Sequence, residues 1–266
     1  MSRTRQRAEV WRPAEGRGSV RTLAYDYASG HRVARHVHDL HQFVYAVRGV
    51  MTVSSDDGAW IVPPHRGVWV PARVEHEIAM SGAVSMRTVY LDPRVAADLP
   101  RECRVVDVPP LLRELILHAV ALGSLDRRVP EEARLLAVLL DQLRALPARV
   151  RALHLPQPTD PRVRRLVEKL ESDPSDRRAL AALARGTGAS ARTLQRLFRA
   201  ETGMSFQVWR RQRRLRHALE RLASGASVTA VALEAGYQSV SAFVSVFRRT
   251  FGQTPGRYFR APSTLA

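Results

Sequence analysis

Hydrophobic positions change their spacing about a third of the way along the chain. Between residues 20 and 91, short runs rich in Val, Tyr, Phe, Trp and Ile alternate with Gly, Asp, Ser and Pro. The pattern predicts strands at 20–27, 43–47, 51–53, 60–62, 67–71, 75–80 and 84–91. Asp57-Gly58 is a tight-turn dipeptide, and Arg48-Gly49 and Ser81-Gly82 are expected to end the strands before them. No long helical pattern interrupts the series, which argues for a small barrel or sandwich and against a βαβ sheet. After Asp92-Pro93 the period becomes helical. Leu112, Leu115, Ile116 and Ala119 share a face of a predicted helix over 109–122. Leu135, Leu136, Val138, Leu139, Leu140 and Leu143 crowd a second one over 131–146, too apolar to leave a side wet unless something covers it. Pro147, Pro156, Pro158 and Pro161 then mark a linker, and Asp160-Pro161 caps and starts a helix reaching about Glu171.

Residues 180–260 contain a repeat. The first copy runs Leu183-Ala184-Arg185-Gly186-Thr187-Gly188-Ala189-Ser190 and on to Phe198. The second runs Val231-Ala232-Leu233-Glu234-Ala235-Gly236-Tyr237-Gln238-Ser239 and on to Phe247. Each opens on a short helix, turns at a glycine (Gly188 or Gly236) and restarts at a serine (Ser190 or Ser239). That serine's hydroxyl can accept a bond from the free amides of the new helix. Leu194, Leu197 and Phe198 fall on one side of the first restarted helix, as Phe243 and Phe247 do in the second. Gly203 and Gly252 follow at the same distance from Phe198 and Phe247. Between the copies, 209–222 reads as one helix carrying Arg210, Arg211, Arg213, Arg214 and Arg216. Two helix-turn-helix units in tandem account for all of this.

The cap, turn and core positions, with Gly203-Met204-Ser205-Phe206 closing the first unit and Gly252-Gln253-Thr254-Pro255-Gly256-Arg257-Tyr258 the second, resemble AraC/XylS-type transcription regulators. The resemblance covers roughly the last hundred residues and implies sequence-specific binding of double-stranded DNA. With the core taken by Leu194, Leu197 and Phe198, the residues Arg192, Gln195, Arg196 and Arg199 point outward. By position in the family motif, Arg192, Gln195 and Arg196 face base edges, where arginine reads guanine and glutamine adenine. Arg199 suits a phosphate contact or plain solvation equally well. In the second recognition helix the outward residues Ser239, Ser241 and Ser245 are short, and Ser245 stands where many family members carry arginine. Base specificity is therefore expected in the first unit. The second is left to read thymine methyls and DNA shape, or to hold phosphate through Arg248 and Arg249. The linking helix is expected to set the two recognition helices about 34 Å apart, one turn of DNA.

Charge sharpens the choice of partner. The chain carries +17, and from Asp160 onward 20 Arg/Lys stand against 8 Asp/Glu, a net of +12. The excess overlaps the repeat, which favours DNA over RNA or a membrane surface. A general preference for arginine on solvated faces is the competing account. The single Cys103 rules out an internal disulfide framework and fits a reducing cytoplasm. Residues 1–12 are arginine-rich with no apolar run behind them, so no signal peptide is expected. The most apolar stretch, 111–125, is too short for a bilayer and holds Arg113 and Glu114.

The strand-rich part contains Gly30-x5-His36-Val37-His38-x3-Gln42-x6-Gly49, which resembles the first cupin motif with Gln42 in place of the usual glutamate. Pro71 and His76 match the second motif, in which Arg73 replaces the usual glycine. The resemblance implies a β-barrel and, carried over by position, a divalent transition-metal site at His36, His38, Gln42 and His76. Without metal, the same side chains would line a small-molecule pocket through hydrogen bonds or pH-sensitive charge, with Tyr45 and Trp69, and also Phe43 and Trp60, as candidate aromatic walls. Aromatic residues in barrels are more often plain core.

The expected fold is α+β in two domains. These are an arm (1–19), a cupin-like sensor and dimerisation domain (20–146), a linker (147–160) and an all-α tandem helix-turn-helix domain (161–266). The two apolar helices after the strands either pack on the barrel or join two copies in a homodimer, and the resemblance favours the second. The function expected is transcription regulation in the cytoplasm under a small effector, with RNA polymerase a further candidate partner. Two other functions fit the sequence: a metal-dependent cupin enzyme with a DNA-binding appendage, and a constitutive DNA binder whose barrel only dimerises.

Overall fold

The computed structural model describes residues 18–146 and 154–259. Most of the expected arm (1–19), and residues 147–153 of the linker expected over 147–160, lie outside the described residues. The chain divides into two compact units, one of residues 1–55 and 60–150 and the other of residues 151–266 with the short stretch 56–59.

The first unit is built on two long strands. Its strands are β1 (Val20–Tyr27), β2 (Arg32–His36), β3 (His41–Ser55), β4 (Gly58–Val62), β5 (Arg66–Val70), β6 (His76–Leu91), β7 (Arg104–Asp107) and β8 (Ser124–Leu125). They run in the order β7-β5-β3-β6-β1-β8, with β2 on β6 and β4 on β3. The separate strands expected at 43–47 and 51–53 are one strand, and so are those at 75–80 and 84–91. Glycine bends these strands and does not end them. The register between β3 and β6 slips around Arg48, and Gly49 sits at φ 82. A Cβ there would lie 2.6 Å from the Ala83 carbonyl oxygen, so a glycine bulge is what the close approach allows. The helical pattern expected after Asp92-Pro93 is also interrupted, before the helix expected over 109–122, by β7. Its four residues are too few to show a period, and pairing of Val105 with Val68 makes them a strand.

The sheet curls into the expected barrel. From His76 to Tyr90 a straight strand would extend about 46 Å at ~3.3 Å per residue. Yet His76 Nε2 lies 3.0 Å from Gln42 Oε1, while Gln42 Nε2 donates to the Tyr90 hydroxyl at 2.6 Å. Both ends of β6 meet one side chain, so the strand must bend round. Alternation then sorts the faces. Gln42, Thr88 and Tyr90 turn inward, while Phe43, Tyr45, Trp69, Val89 and Leu91 turn out. That outer face packs under α1 (Pro110–Leu122) and α2 (Pro130–Arg144) through Leu112, Ile116, Leu136, Leu139, Leu140 and Leu143. Truncating one of these buried leucines to alanine costs about 2–5 kcal/mol. Among the described residues no helix is long and apolar enough to cross a membrane.

The second unit is helical. Its helices are α3 (Pro161–Ser172), α4 (Leu180–Ala184), α5 (Ala191–Thr202), α6 (Phe206–Ala223), α7 (Val228–Glu234), α8 (Val240–Phe251) and α9 (Pro255–Tyr258). Asp160 caps α3 by accepting from the Arg162 amide. Ser190 and Ser239 cap α5 and α8, each accepting at 3.1 Å from the amide three residues on. The linking helix α6 starts three residues before the expected 209, because Ser205 caps it. Phe198 packs edge-on against Phe206 and Trp209, under Val163, Leu166 and Leu170 of α3. Phe243, Phe247, Phe251 and Tyr258 form the corresponding aromatic core of the second helix-turn-helix.

Candidate DNA-binding surface and histidine cluster

On α5 the sequence puts Leu194 and Phe198 inside, and the residues between them emerge as expected. Arg192, Gln195, Arg196 and Arg199 are all exposed, as are Ser239, Ser241, Ser245, Arg248 and Arg249 at the start of α8 and along it. The arginines of these two helices differ from several others in the unit. Arg162, Arg178, Arg216 and Arg221 are held by Asp160, Asp176, Glu220 and Glu234. Arg192, Arg196, Arg199, Arg248 and Arg249 have no acidic partner among the described residues. A guanidinium without a carboxylate keeps its five donors for a phosphate or a base edge. Ser239 has two tasks: its oxygen is occupied as the cap, leaving its proton to donate outward.

Much of the positive charge on α6 is turned inward instead. Arg210, Arg213 and Arg214 donate to the backbone carbonyls of Arg178, Glu171 and Asp176. Burial pushes the ionisation of all three guanidinium groups down from its ordinary value. These side chains tie α6 to the loops around α3, so three of the five arginines expected along this helix serve as internal scaffolding. The spacing held a sign of this, since Arg213 follows Phe206 and Trp209 on the buried stripe of α6.

Inside the barrel, β2, β3 and β6 bring His36, His38, Gln42 and His76 together. Ligand nitrogens of the three histidines lie within 4.8 Å of one another. Each Nδ1 faces a backbone carbonyl: His36 to Ala34 at 2.8 Å, His38 to Leu40 at 2.7 Å and His76 to Val74 at 2.9 Å. Carbonyl oxygens only accept, so each Nδ1 carries a proton, and in His38 and His76 the neutral ring keeps a lone pair on Nε2. Burial lowers the pKa of His76 to about 4, and burial also lowers that of His38. Both rings are therefore neutral at pH 7. The Nε2 atoms of His38 and His76 approach Gln42 Oε1 at 3.2 and 3.0 Å. Thr88 gives its one hydroxyl proton to the Phe43 carbonyl and accepts from Gln42 Nε2, which orients the amide with its oxygen toward the histidines. Imidazole nitrogens and an amide oxygen converge with no proton among them, a donor set that fits a borderline divalent cation.

The structure does not bring Tyr45 and Trp69 to this cluster. They stand on the outer face, buried under α1 and α2, because odd positions of β3 point away from Gln42. Their expected place as pocket walls beside the histidines is therefore wrong. Tyr90, which the sequence did not single out, takes that place, with its ring 5.4 Å from His38.

Residues 20–186 match the AraC-like ligand binding domain, and residues 183–261 match a helix-turn-helix domain. The chain belongs to the AraC family of transcription regulators. It is 36% identical over 231 residues to the HTH-type transcriptional regulator NimR of Escherichia coli (strain K12), covering 87% of this chain and 84% of that one. It is also 38% identical over 103 residues to RipA of Corynebacterium glutamicum, covering 39% of this chain and 31% of that one. Among solved structures, ToxT of Vibrio cholerae strain SCE256 bound to an unsaturated fatty acid covers 93% of this chain and 97% of its own, at 12% identity and a TM-score of 0.39. This AraC-family regulator thus binds DNA through its C-terminal unit and carries an N-terminal ligand-binding domain of cupin-like fold. Arg73 keeps the second cupin motif's backbone although it is not glycine. It adopts φ 66, a left-handed conformation that favours glycine, while its amide donates to the His38 carbonyl at 2.9 Å.

Proposed function

We propose that this AraC-family regulator reads bases chiefly with α5 and holds the DNA backbone chiefly with α8. The observation that carries this is the contrast in outward chemistry. Arg192, Gln195 and Arg196 are long, exposed donors on one helix, with Arg199 beside them, and Ser239, Ser241 and Ser245 are short ones on the other. Arg248 and Arg249 then serve phosphate. Residues 20–146 are the sensor and dimerisation domain, 147–160 the linker and 161–266 the DNA-binding domain. Leu111, Leu122 and Val138 remain about half exposed on α1 and α2, which supports a homodimer joined by these helices. The barrel takes the effector beside its histidines, where His36, His38, His76 and Gln42 hold a divalent transition metal. The protein works in the cytoplasm by binding and not by turnover, and RNA polymerase is its further partner. Its matched relatives are themselves transcriptional regulators.

Selection of genomic fragments by the purified protein at near-physiological salt, followed by binding titrations, tests the reading. Arg196→Ala costs about 1–3 kcal/mol on the selected sequence and relaxes preference at the bases it contacts. Arg248→Ala weakens all sequences alike and reduces the salt slope by about one unit. Equal, sequence-blind losses from both would sink the division of labour. Elemental analysis tests the metal. Metal-free protein that stays folded and binds DNA under effector control would remove the metal and leave the histidines to the effector alone.

A further inference from the structure

We infer that the first unit carries a second small-molecule site, outside the barrel, for an apolar carboxylate. A cavity of about 300 Å³ opens between the outer face of β5 and β7, the loop over 98–104 and the end of α2. Phe43, Trp69, Leu99, Val106 and Leu143 supply its apolar walls. Trp69 Nε1 donates to the Pro100 carbonyl at 2.7 Å and so pins the loop that forms one side. The charged groups on its lining are Asp98, Arg104 and Arg144. Asp98 is engaged by Arg144, with contacts of 2.7 and 3.2 Å, and is neutralised there. Arg104 is left as the excess charge. Its Nε is buried without a hydrogen-bond partner among the described residues, and one Nη bonds the exposed Glu102 at 2.8 Å. An exposed ion pair of that kind is worth little, so it competes weakly with a ligand.

A guanidinium on the wall of an apolar cavity, held by an exposed carboxylate that a ligand can displace, is complementary to a carboxylate on a hydrocarbon or aromatic body. At about 30 Å³ for a water-sized unit, the volume accommodates a body of roughly ten non-hydrogen atoms. Phe43 and Trp69 favour an aromatic ring in it, by edge or offset contact. The site also lies where a signal can leave the unit. Leu143, Arg144 and Leu146 line it at the end of α2, the last described helix before the chain passes to the DNA-binding unit. A ligand there would brace the end of α2 through Arg104 and Leu143. That regulatory consequence rests on the effector reading above, whereas the binding site does not.

Calorimetric titration of the full chain with 3-phenylpropionate, and with 3-phenylpropanol as its uncharged counterpart, tests the site. The expected result is saturable binding of the acid at one site per chain and at least tenfold weaker binding of the alcohol. Arg104→Gln should raise the Kd for the acid at least tenfold, and Arg104→Lys should recover part of the loss. Absence of saturable binding at millimolar acid overturns the proposal, as does equal binding of acid and alcohol. Binding that survives Arg104→Gln but disappears in His76→Gln places the ligand in the barrel and also overturns it. The same preparations are assayed for sequence-selective DNA binding. If selectivity is intact while the acid fails to bind, only this site is lost; if selectivity fails, the regulator reading is lost whatever the calorimetry shows.

Discussion

The two helix-turn-helix units share a backbone design and differ in what fills it and what faces out. Each restarts its recognition helix at a capping serine and ends it at a left-handed glycine, Gly203 at φ 67 and Gly252 at φ 79. Their cores diverge. The first is mixed, with Phe198 and Trp209 packed among aliphatic side chains of α3, and the second is largely aromatic around Phe247. Their turns diverge too. Gly188 and Gly236 both have positive φ, but only Gly236 is pressed against other parts of the unit. The outward surfaces differ most, with arginine and glutamine early on α5 against serine early on α8, whose exposed arginines, Arg248 and Arg249, come near its end. A repeat therefore conserves geometry where the backbone demands it and leaves chemistry free where side chains meet a partner.

The largest test of this comparison is truncation of each core. Phe198→Ala and Phe247→Ala each cost about 3–5 kcal/mol. The first should abolish selective DNA binding, while the second should lower affinity and leave the preferred sequence unchanged. Binding-site selection with both variants checks this, and loss of selectivity from Phe247→Ala alone would reverse the roles assigned to the halves. Next come the turns. Gly188→Ala and Gly236→Ala both force alanine into a left-handed conformation, at about 1–2 kcal/mol. At Gly236 the new Cβ would also lie 2.9 Å from the Ser175 carbonyl oxygen. Denaturant melts should therefore show Gly236→Ala as the more destabilised of the two. The caps should differ little, since Ser190→Ala and Ser239→Ala each remove a cap bond worth about 1 kcal/mol. Ser190→Ala also removes an exposed contact with the Thr193 hydroxyl at 3.0 Å, so it should lose slightly more. A much greater loss from one would show that its serine does more than cap.

The smallest difference is in pH response. His217 on α6 lies 3.8 Å from Glu234 on α7, at the entrance to the second unit. Burial first, and Arg213 and Arg221 as well, lower its pKa against the opposing pull of Glu220 and Glu234. The unfolded chain then binds more protons than the folded one just below the ordinary histidine value of about 6.5. Its stabilising contribution is present above that value and is lost as pH falls toward the folded pKa. Hydrogen exchange, corrected for intrinsic rates, should show α7 and α8 loosening between about pH 7 and 5 while α5 holds. His217→Gln should remove the difference, and an equal acid response in both units would refute it.

Sequence alone determined whatever depends on local spacing. The capping serines, the apolar stripes of α5 and α8, the turn glycines and the H-x-H pair of His36 and His38 all stand within a few residues of the groups they serve. The exposure of Arg192, Arg196 and Arg248 followed from which neighbours had to be buried. The curvature of the sheet and its consequences were decided only in three dimensions. Gly49 and Gly82 read as strand ends until pairing showed β3 and β6 running through them. Pattern alone put Tyr45 and Trp69 beside Gln42, but one step along a strand reverses the face, and α1 and α2 claim that face. Arg210, Arg213 and Arg214 counted toward a DNA-facing charge until loops distant in sequence offered their carbonyls. The cavity at Arg104 has no local signature, because its walls come from β3, β5, β7, a loop and the end of α2. Local hydrogen bonds and periodicity are written residue by residue, whereas the partner of a long side chain is whatever the closed fold brings to it.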